Sequence, residues 1–289
     1  MIPPSFEYLR PKTIPEALAF LEQYGDDAKV LSGGQSLIPM MKLRLARPAY
    51  IVDLNRIAGL SYIKEEGGFL KIGGLTREAE LESSALIRSK YPLLMDTAGV
   101  IADPQVRNLA TVGGNLAHGD PANDHPATMI ALGAQVVATG GKGERVIPVE
   151  SFFVSLFTTA LEQGEILTEI RIPVPPAKSG GAYVKVERKV GDFATAAVAV
   201  QLTLDDKGAV QKAGIGLTNV GPTPLKAKKA EDFLRGKKPD AAAIAQAAQL
   251  AADDAQPSSD LRGPAEYKKG LVKELAKRAI SRAIERAGK

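Results

Sequence analysis

Two stretches carry the residue types for anion chemistry, Ser32-Gly33-Gly34-Gln35-Ser36 and Thr111-Val112-Gly113-Gly114-Asn115. Each is a glycine pair flanked by hydroxyl or amide side chains, and each stands where an apolar segment ends. Glycine tolerates φ > 0 and lacks Cβ, so successive backbone N–H groups can converge on one anion. Ser, Thr, Asn and Gln add neutral donors suited to phosphate oxygens. A Gly-Gly pair by itself is also an ordinary turn. Two with matched flanks, about 80 residues apart, could grip the two phosphates of a dinucleotide from opposite sides. On these residues alone, turn and phosphate cradle both stay open.

Other reactive patterns are missing or spent elsewhere. No phosphate-binding Gly-x-x-x-x-Gly-Lys-Ser/Thr occurs, and Gly140-Gly-Lys-Gly reads as a hairpin tip. Gly214 to Gly221 misses the Rossmann spacing and lies mid-strand, and no Gly-x-Ser-x-Gly elbow exists. His118 and His125 share a loop with Asp120 and Asp124, but Pro121 and Pro126 deny the four any regular helical spacing toward zinc. Loop capping is the expectation there, with Asp124 as N-cap of the next helix.

The chain of 289 residues has no cysteine, which excludes disulfides, thiolate zinc, thiol catalysis and a cysteine-held iron–sulfur cluster within it. Electrons, if it moves them, need an organic carrier or a partner. Net charge is +4, concentrated in Lys226 to Lys238 and Lys268 to Arg286, a pattern of solvated helix faces. With 5% aromatics and no tryptophan, nucleic-acid binding is not expected. No apolar run approaches the ~20 residues of a membrane span, and the opening residues lack a secretory pattern, so a cytoplasmic location is expected.

The positioning elements follow from local signals. Thr13-Ile-Pro-Glu16 is a capping box, followed by an apolar face of Ala17, Leu18, Leu21 and Tyr24 and a closing Gly25. A strand at 29–31 feeds the first glycine pair, a helix over 37–45 follows it, and 49–53 is the next strand. Hairpins are expected at 60–72 across Gly67-Gly68 and at 135–149 across Gly140-Gly141. Helices are expected at 76–90, 92–100, after Asp103-Pro104, and up to Leu132, and a strand at 165–174. Residues 173–181 read as a linker. Strands at 183–188, 195–204 and 210–217 then form a three-stranded sheet, with helices at 226–234, 241–255 and 266–287 on one face.

Read together, Ser32-Gly-Gly-Gln-Ser-Leu-Ile-Pro39, Ile101-Ala-Asp-Pro-Gln105, Ala110-Thr-Val-Gly-Gly-Asn115, Gly119-Asp-Pro-Ala-Asn-Asp124 and Gly216-Leu-Thr-Asn-Val220 resemble a known family. It is the FAD-binding medium subunit of molybdenum hydroxylases, in its carbon monoxide dehydrogenase type. The likeness runs from Met1 to about Arg286. It implies an α+β chain of α/β lobes: a two-lobed FAD-binding domain of the vanillyl-alcohol-oxidase type (1–57 and 58–176) and a C-terminal α+β domain (177–289). It implies a diphosphate held by Val30, Leu31, Ser32, Gly33, Gly34, Gln35, Ser36 and Leu37 on one side. Thr111, Val112, Gly113, Gly114 and Asn115 would stand opposite. Ile101, Asp124, Leu167 and Lys185 would add ring or ribose contacts, with Lys185 near the pyrimidine edge; without the resemblance, Lys185 reads equally as a solvated strand lysine. Asp192-Phe193 matches a position flanking the isoalloxazine. Relatives often carry Tyr in place of Phe193 and His in place of Gln35, which removes a hydroxyl and a titratable donor.

The resemblance further implies electron transfer from [2Fe-2S] clusters of a small partner, through FAD, to an external acceptor. Substrate oxidation would fall to a large molybdopterin subunit, in a dimer of heterotrimers. No residue of this chain is then an acid, base, nucleophile or metal ligand. Two other readings are weighed: a self-sufficient FAD oxidase or reductase of the same fold, and a cofactor-free module docking a partner through its basic helices.

Overall fold

Three main sheets and a two-stranded side sheet make up the computed structural model, which describes residues 2–288. The first is built from β1 (Glu7–Leu9), β2 (Ala28–Leu31) and β3 (Tyr50–Asp53), all parallel, in the order β1-β3-β2. Helix α1 (Ile14–Tyr24) starts at Thr13, whose hydroxyl accepts from Glu16 N at 3.3 Å. Glu16 reaches back one residue further than a capping box requires, to Lys12 N at 2.7 Å. Ala17 and Leu21 are buried and pack on Ala28 and Val52. Helix α2 (Leu37–Lys42) is shorter than expected, since Arg44 takes a left-handed φ of 64° and ends it before Leu45.

The second sheet is antiparallel, in the order β4-β5-β10-β6-β7. Its strands are β4 (Ile63–Glu66), β5 (Phe69–Gly73), β6 (Gln135–Gly140), β7 (Gly143–Pro148) and β10 (Ile166–Pro173), with a side hairpin of β8 (Phe153–Ser155) and β9 (Thr158–Thr159). Between β5 and β6 lie α3 (Glu78–Ser83), α4 (Ala85–Lys90), α5 (Pro92–Gly99), α6 (Pro104–Leu109), α7 (Val112–Ala117) and α8 (Asp124–Leu132). The expected single helix over 76–90 is broken at Ser84, which leaves helical geometry and caps α4 from its own side chain. Asp103 caps α6 with Pro104 at its first position, as the sequence signals.

The third sheet has four strands rather than three: β11 (Ser179–Val186), β12 (Ala196–Leu204), β13 (Val210–Thr218) and the two-residue edge β14 (Leu225–Lys226). Residues 179–181 of the expected linker are already strand. Helices α9 (Lys228–Leu234), α10 (Ala241–Asp254) and α11 (Ala265–Ala287) cover one face. The other face is not free, contrary to the expectation of helices on one side. Along β12, Ala196, Val198, Val200 and Leu202 face α9–α11, while Ala197 and Ala199 join the core beneath α5 and α8. Successive strand residues point to opposite faces, so a strand buried on both reads as an unbroken apolar run. Gly214 and Gly216 allow α8 to lie directly on β13, because a Cβ at either would strike the carbonyls of Ala131 and Ala127.

Candidate functional site

The first glycine segment leaves β2 and enters α2 with Gly34 at φ 73°, a conformation that glycine takes at little cost. Gly33 abuts the backbone of residues 109–110, where an added Cβ would lie 2.8 Å from Ala110 Cα. The second segment differs from the expected loop. Thr111 is the N-cap of α7, its hydroxyl accepting from Gly114 N at 3.1 Å, and Gly113 and Gly114 form the first helical turn. Neither has positive φ, so their value lies in the missing Cβ. At Gly113 it would meet Gly74 Cα at 2.8 Å, and at Gly114 the hydroxyls of Thr111 and Ser32 at 2.6 and 2.7 Å. Those two hydroxyls are 2.9 Å apart and tie the segments together. Asn55 Nδ2 holds the Ser32 carbonyl at 2.8 Å.

Between the two segments opens a cavity of about 740 Å³. Residues 30–37 line it together with Thr111, Gly113, Gly114 and Asn115. Val112 does not, its side chain being buried in the core behind. Ile101, Asp124, Leu167, Asp192 and Phe193 also reach the wall. Leu167 stands at a bulge of β10 beside Thr168, whose carbonyl accepts from Gly74 N at 2.7 Å. Lys29 is the only cation of the lining among the described residues. An anion here would therefore rest on N–H dipoles and neutral hydroxyls and amides. Asn115 points a buried Oδ1 without a partner among the described residues, while its carbonyl is held by Asn123 Nδ2 at 2.8 Å.

Asp124 is the first residue of α8; Asn123 takes the N-cap position, correcting the expectation. The Asp124 carboxylate is used across elements: it accepts from Tyr183 Oη at 2.7 Å and from Lys185 Nζ at 2.9 Å. Burial pushes its carboxyl up, and the Lys185 ammonium is the largest opposing influence. Burial, and next the Asp124 charge, push the Tyr183 hydroxyl up. Lys185 is neither solvated nor on the cavity wall. Its side chain is 3% exposed, donates to Val100 O at 3.0 Å and forms an ion pair with Glu187 at 3.2 Å.

At the mouth, Phe193 is half-exposed and Asp192 is pinned by Arg188 at 2.9 Å and Arg262 at 3.1 Å. The Arg188 hydrogen bond is the main reason that the Asp192 carboxyl is held down at about 2. A depressed folded value means that this stabilisation is complete above the ordinary carboxyl value and fades as pH falls through about 2. Arg262→Ala should cost on the order of 0.5 kcal/mol in urea unfolding at neutral pH, and the difference from the parent chain should narrow below about pH 4.

The two histidines part company. His125 is buried against Glu78 at 2.7 Å, whereas His118 lines the cavity and its ring lies on Phe157. Burial pushes the His118 imidazole down. Sequence reading missed His118, Phe157 and the wall from Leu161 to Ile166. His118 follows Asn115 by three residues, which places both on one helical face once α7 is known to be a helix. Phe157 carried no local signal.

A family model described as the FAD binding domain in molybdopterin dehydrogenase matches residues 4–175, and one described as the CO dehydrogenase flavoprotein C-terminal domain matches residues 181–283. The carbon monoxide dehydrogenase medium chain of Afipia carboxidovorans is 48% identical over 287 residues, 99% of each chain. The 6-hydroxypseudooxynicotine dehydrogenase complex subunit alpha of Paenarthrobacter nicotinovorans is 37% identical over 287 residues, 99% of this chain and 97% of that one. Among solved structures, reconstituted CO dehydrogenase from Oligotropha carboxidovorans contains a chain with TM-score 0.96 and 48% identity, covering 99% of this chain and 100% of that one.

Proposed function

Because this chain belongs to the FAD-binding medium subunits of molybdenum hydroxylases, of the carbon monoxide dehydrogenase type, we propose that it conducts electrons between partners through FAD held in the cavity described above. Family membership makes it an FAD-dependent oxidoreductase subunit and sets aside the cofactor-free docking module.

The observation that carries the reading is the cavity between two glycine segments bridged by the 2.9 Å Ser32–Thr111 hydrogen bond. Three features support FAD as its occupant. The volume of about 740 Å³ falls within the ~300–1,000 Å³ usual for cofactor sites. Gly33 and Gly114 let the two segments close on each other beside the cavity, since a Cβ at Gly33 would strike Ala110 and one at Gly114 would strike Ser32 Oγ. The unpartnered Oδ1 of Asn115 is an acceptor suited to a sugar or ribityl hydroxyl.

In this reading Val30 to Leu37 bind the diphosphate from one side. Thr111 and Gly113 to Asn115 bind it from the other, with Val112 packing behind them. Ile101 and Leu167 give apolar walls, and Phe193 flanks the ring system with Asp192 steadying it from the mouth. Asp124 faces the cofactor, while Lys185 acts through Asp124, its ammonium fixing that carboxylate's charge and orientation. When bound, FAD supplies the exchange of electrons between one-electron carriers and a two-electron acceptor, while the chain supplies position and electrostatics. The absence of cysteine requires iron–sulfur clusters to sit elsewhere.

The proposal includes a small iron–sulfur subunit as donor and a large molybdopterin subunit for substrate oxidation, in a dimer of heterotrimers located in the cytoplasm. It also includes the division into lobes 1–57 and 58–176 and a domain 177–289. Among the described residues no helix is long and apolar enough to cross a membrane. Purification of the complex from its native source, with a visible spectrum and mass analysis of cofactor and co-purifying chains, tests it. FAD with two further subunits bearing molybdenum and iron is the expected result. FAD on a lone chain that turns over an alcohol, aldehyde or reduced nicotinamide would favour the self-sufficient enzyme instead.

A further inference from the structure

The β8–β9 hairpin brings its tip, Leu156-Phe157, to the edge of the cavity. Phe157 has φ of +54°, a left-handed conformation that a bulky side chain adopts only under constraint. Glycine would make the same turn without strain. The tip is seated on a second unusual residue, Gly119, itself left-handed at φ 69°. A Cβ there would come within 3.2 Å of the Phe157 carbonyl carbon and of Thr158 N, and Phe157 N donates to Gly119 O at 3.2 Å.

Core packing does not explain the aromatic. Phe157 is 54% exposed, and its hairpin neighbours Val154 and Leu156 are exposed as well. Its ring contacts one aromatic partner, His118, at 5.2 Å between centroids and 45° between planes. His118 sits three residues beyond Asn115, and both line the same cavity. A strained backbone thus holds a half-open aromatic face on a ligand-sized cavity, and such strain gathers where a ligand uses it.

We propose that Phe157, backed by His118, is a stacking platform for a planar heteroaromatic ring bound in the cavity. The assignment rests on the FAD reading, and FAD offers two such rings, isoalloxazine and adenine. Stacking on an aromatic face is tolerant of the ring's identity and prefers offset or tilted geometry.

The test uses the full chain stripped of flavin, titrated with FAD and separately with riboflavin while flavin fluorescence is followed, together with thermal unfolding of the flavin-free protein. Phe157→Gly should weaken FAD binding about tenfold or more, while the flavin-free protein melts at the same temperature or higher because the left-handed strain is gone. Phe157→Tyr should keep parental affinity. Loss toward FAD and riboflavin alike assigns the isoalloxazine to the platform, and loss toward FAD alone assigns the adenine. Unchanged FAD affinity in Phe157→Gly would overturn the platform. So would a fall in both affinity and flavin-free stability, since Phe157 would then be a packing residue. Failure of the parent chain to bind FAD would instead overturn the cofactor reading beneath it.

Discussion

Gly114→Val abolishes FAD binding, weakening it at least about 100-fold, or ~3 kcal/mol, with the C-terminal sheet left folded. The ground is steric and local. A Cβ at this position would sit 2.6 Å from Thr111 Oγ1 and 2.7 Å from Ser32 Oγ. Valine would therefore push apart the two hydroxyls that join the glycine segments and would break the Gly114 N to Thr111 cap. Loss of that cap costs about 1 kcal/mol of helix stability, and a β-branched residue adds crowding in the first turn of α7. Gly114→Ala carries the same Cβ with less bulk and should fall between the parent and valine. Equilibrium titration with FAD measures the loss, and circular dichroism follows the fold. Full flavin occupancy in the valine variant would remove α7 from the cofactor site.

Lys185→Met should destabilise the chain by about 3–5 kcal/mol at neutral pH, because it leaves the buried Asp124 carboxylate without its countercharge. The cost should depend on pH with a definite sign. Burial raises the folded-state value of Asp124, and removing the ammonium removes the strongest influence pulling it down. A raised carboxyl value means that stability is present below the unfolded value and is lost as pH rises through the folded one. The variant should therefore differ little from the parent in acid and progressively more toward neutrality, when both are unfolded in urea across that range. Exchanging both partners in Lys185→Met/Asp124→Leu should recover part of the loss, since it removes the buried Asp124 charge while Glu187 still lacks the cation 3.2 Å away. A deficit independent of pH would mean that packing of the lysine stem, rather than the charge, is what matters.

These two sites differ in how far they could be read from the chain. Gly114 was legible in part because one of its two neighbours is its own cap, three residues away, whereas the other, Ser32, comes from the first glycine segment. The sequence nevertheless suggested a loop where the structure has a helix, since a glycine pair after Thr111 satisfies turn chemistry and N-capping alike. Lys185 was singled out only through the family resemblance, and its burial against Asp124 could not be read. Besides Glu187 two residues on, its partners are 61 and 85 residues distant, on α8 and at the end of α5. A strand lysine looks solvated until α8 is laid across the sheet. Phe157 was equally silent, as its left-handed backbone depends on Gly119 and its ring on His118, neither near it in sequence.

What the amino-acid sequence determined by itself is the set of interactions that act within a turn or two of chain. Thr13 and Asp103 cap their helices, the Gly67-Gly68 and Gly140-Gly141 hairpins turn where expected, and the two glycine segments mark the cavity. The composition without cysteine also belongs to that part, because it restricts the chemistry of any fold. Tertiary structure alone decided which residues face the cavity and which are consumed behind it: Asp124 on the wall with Lys185 hidden, Thr111 exposed to it with Val112 turned away, His118 open with His125 closed against Glu78. Local propensity falls off within a few residues, whereas exposure and charge pairing are set by elements packed together from distant parts of the chain.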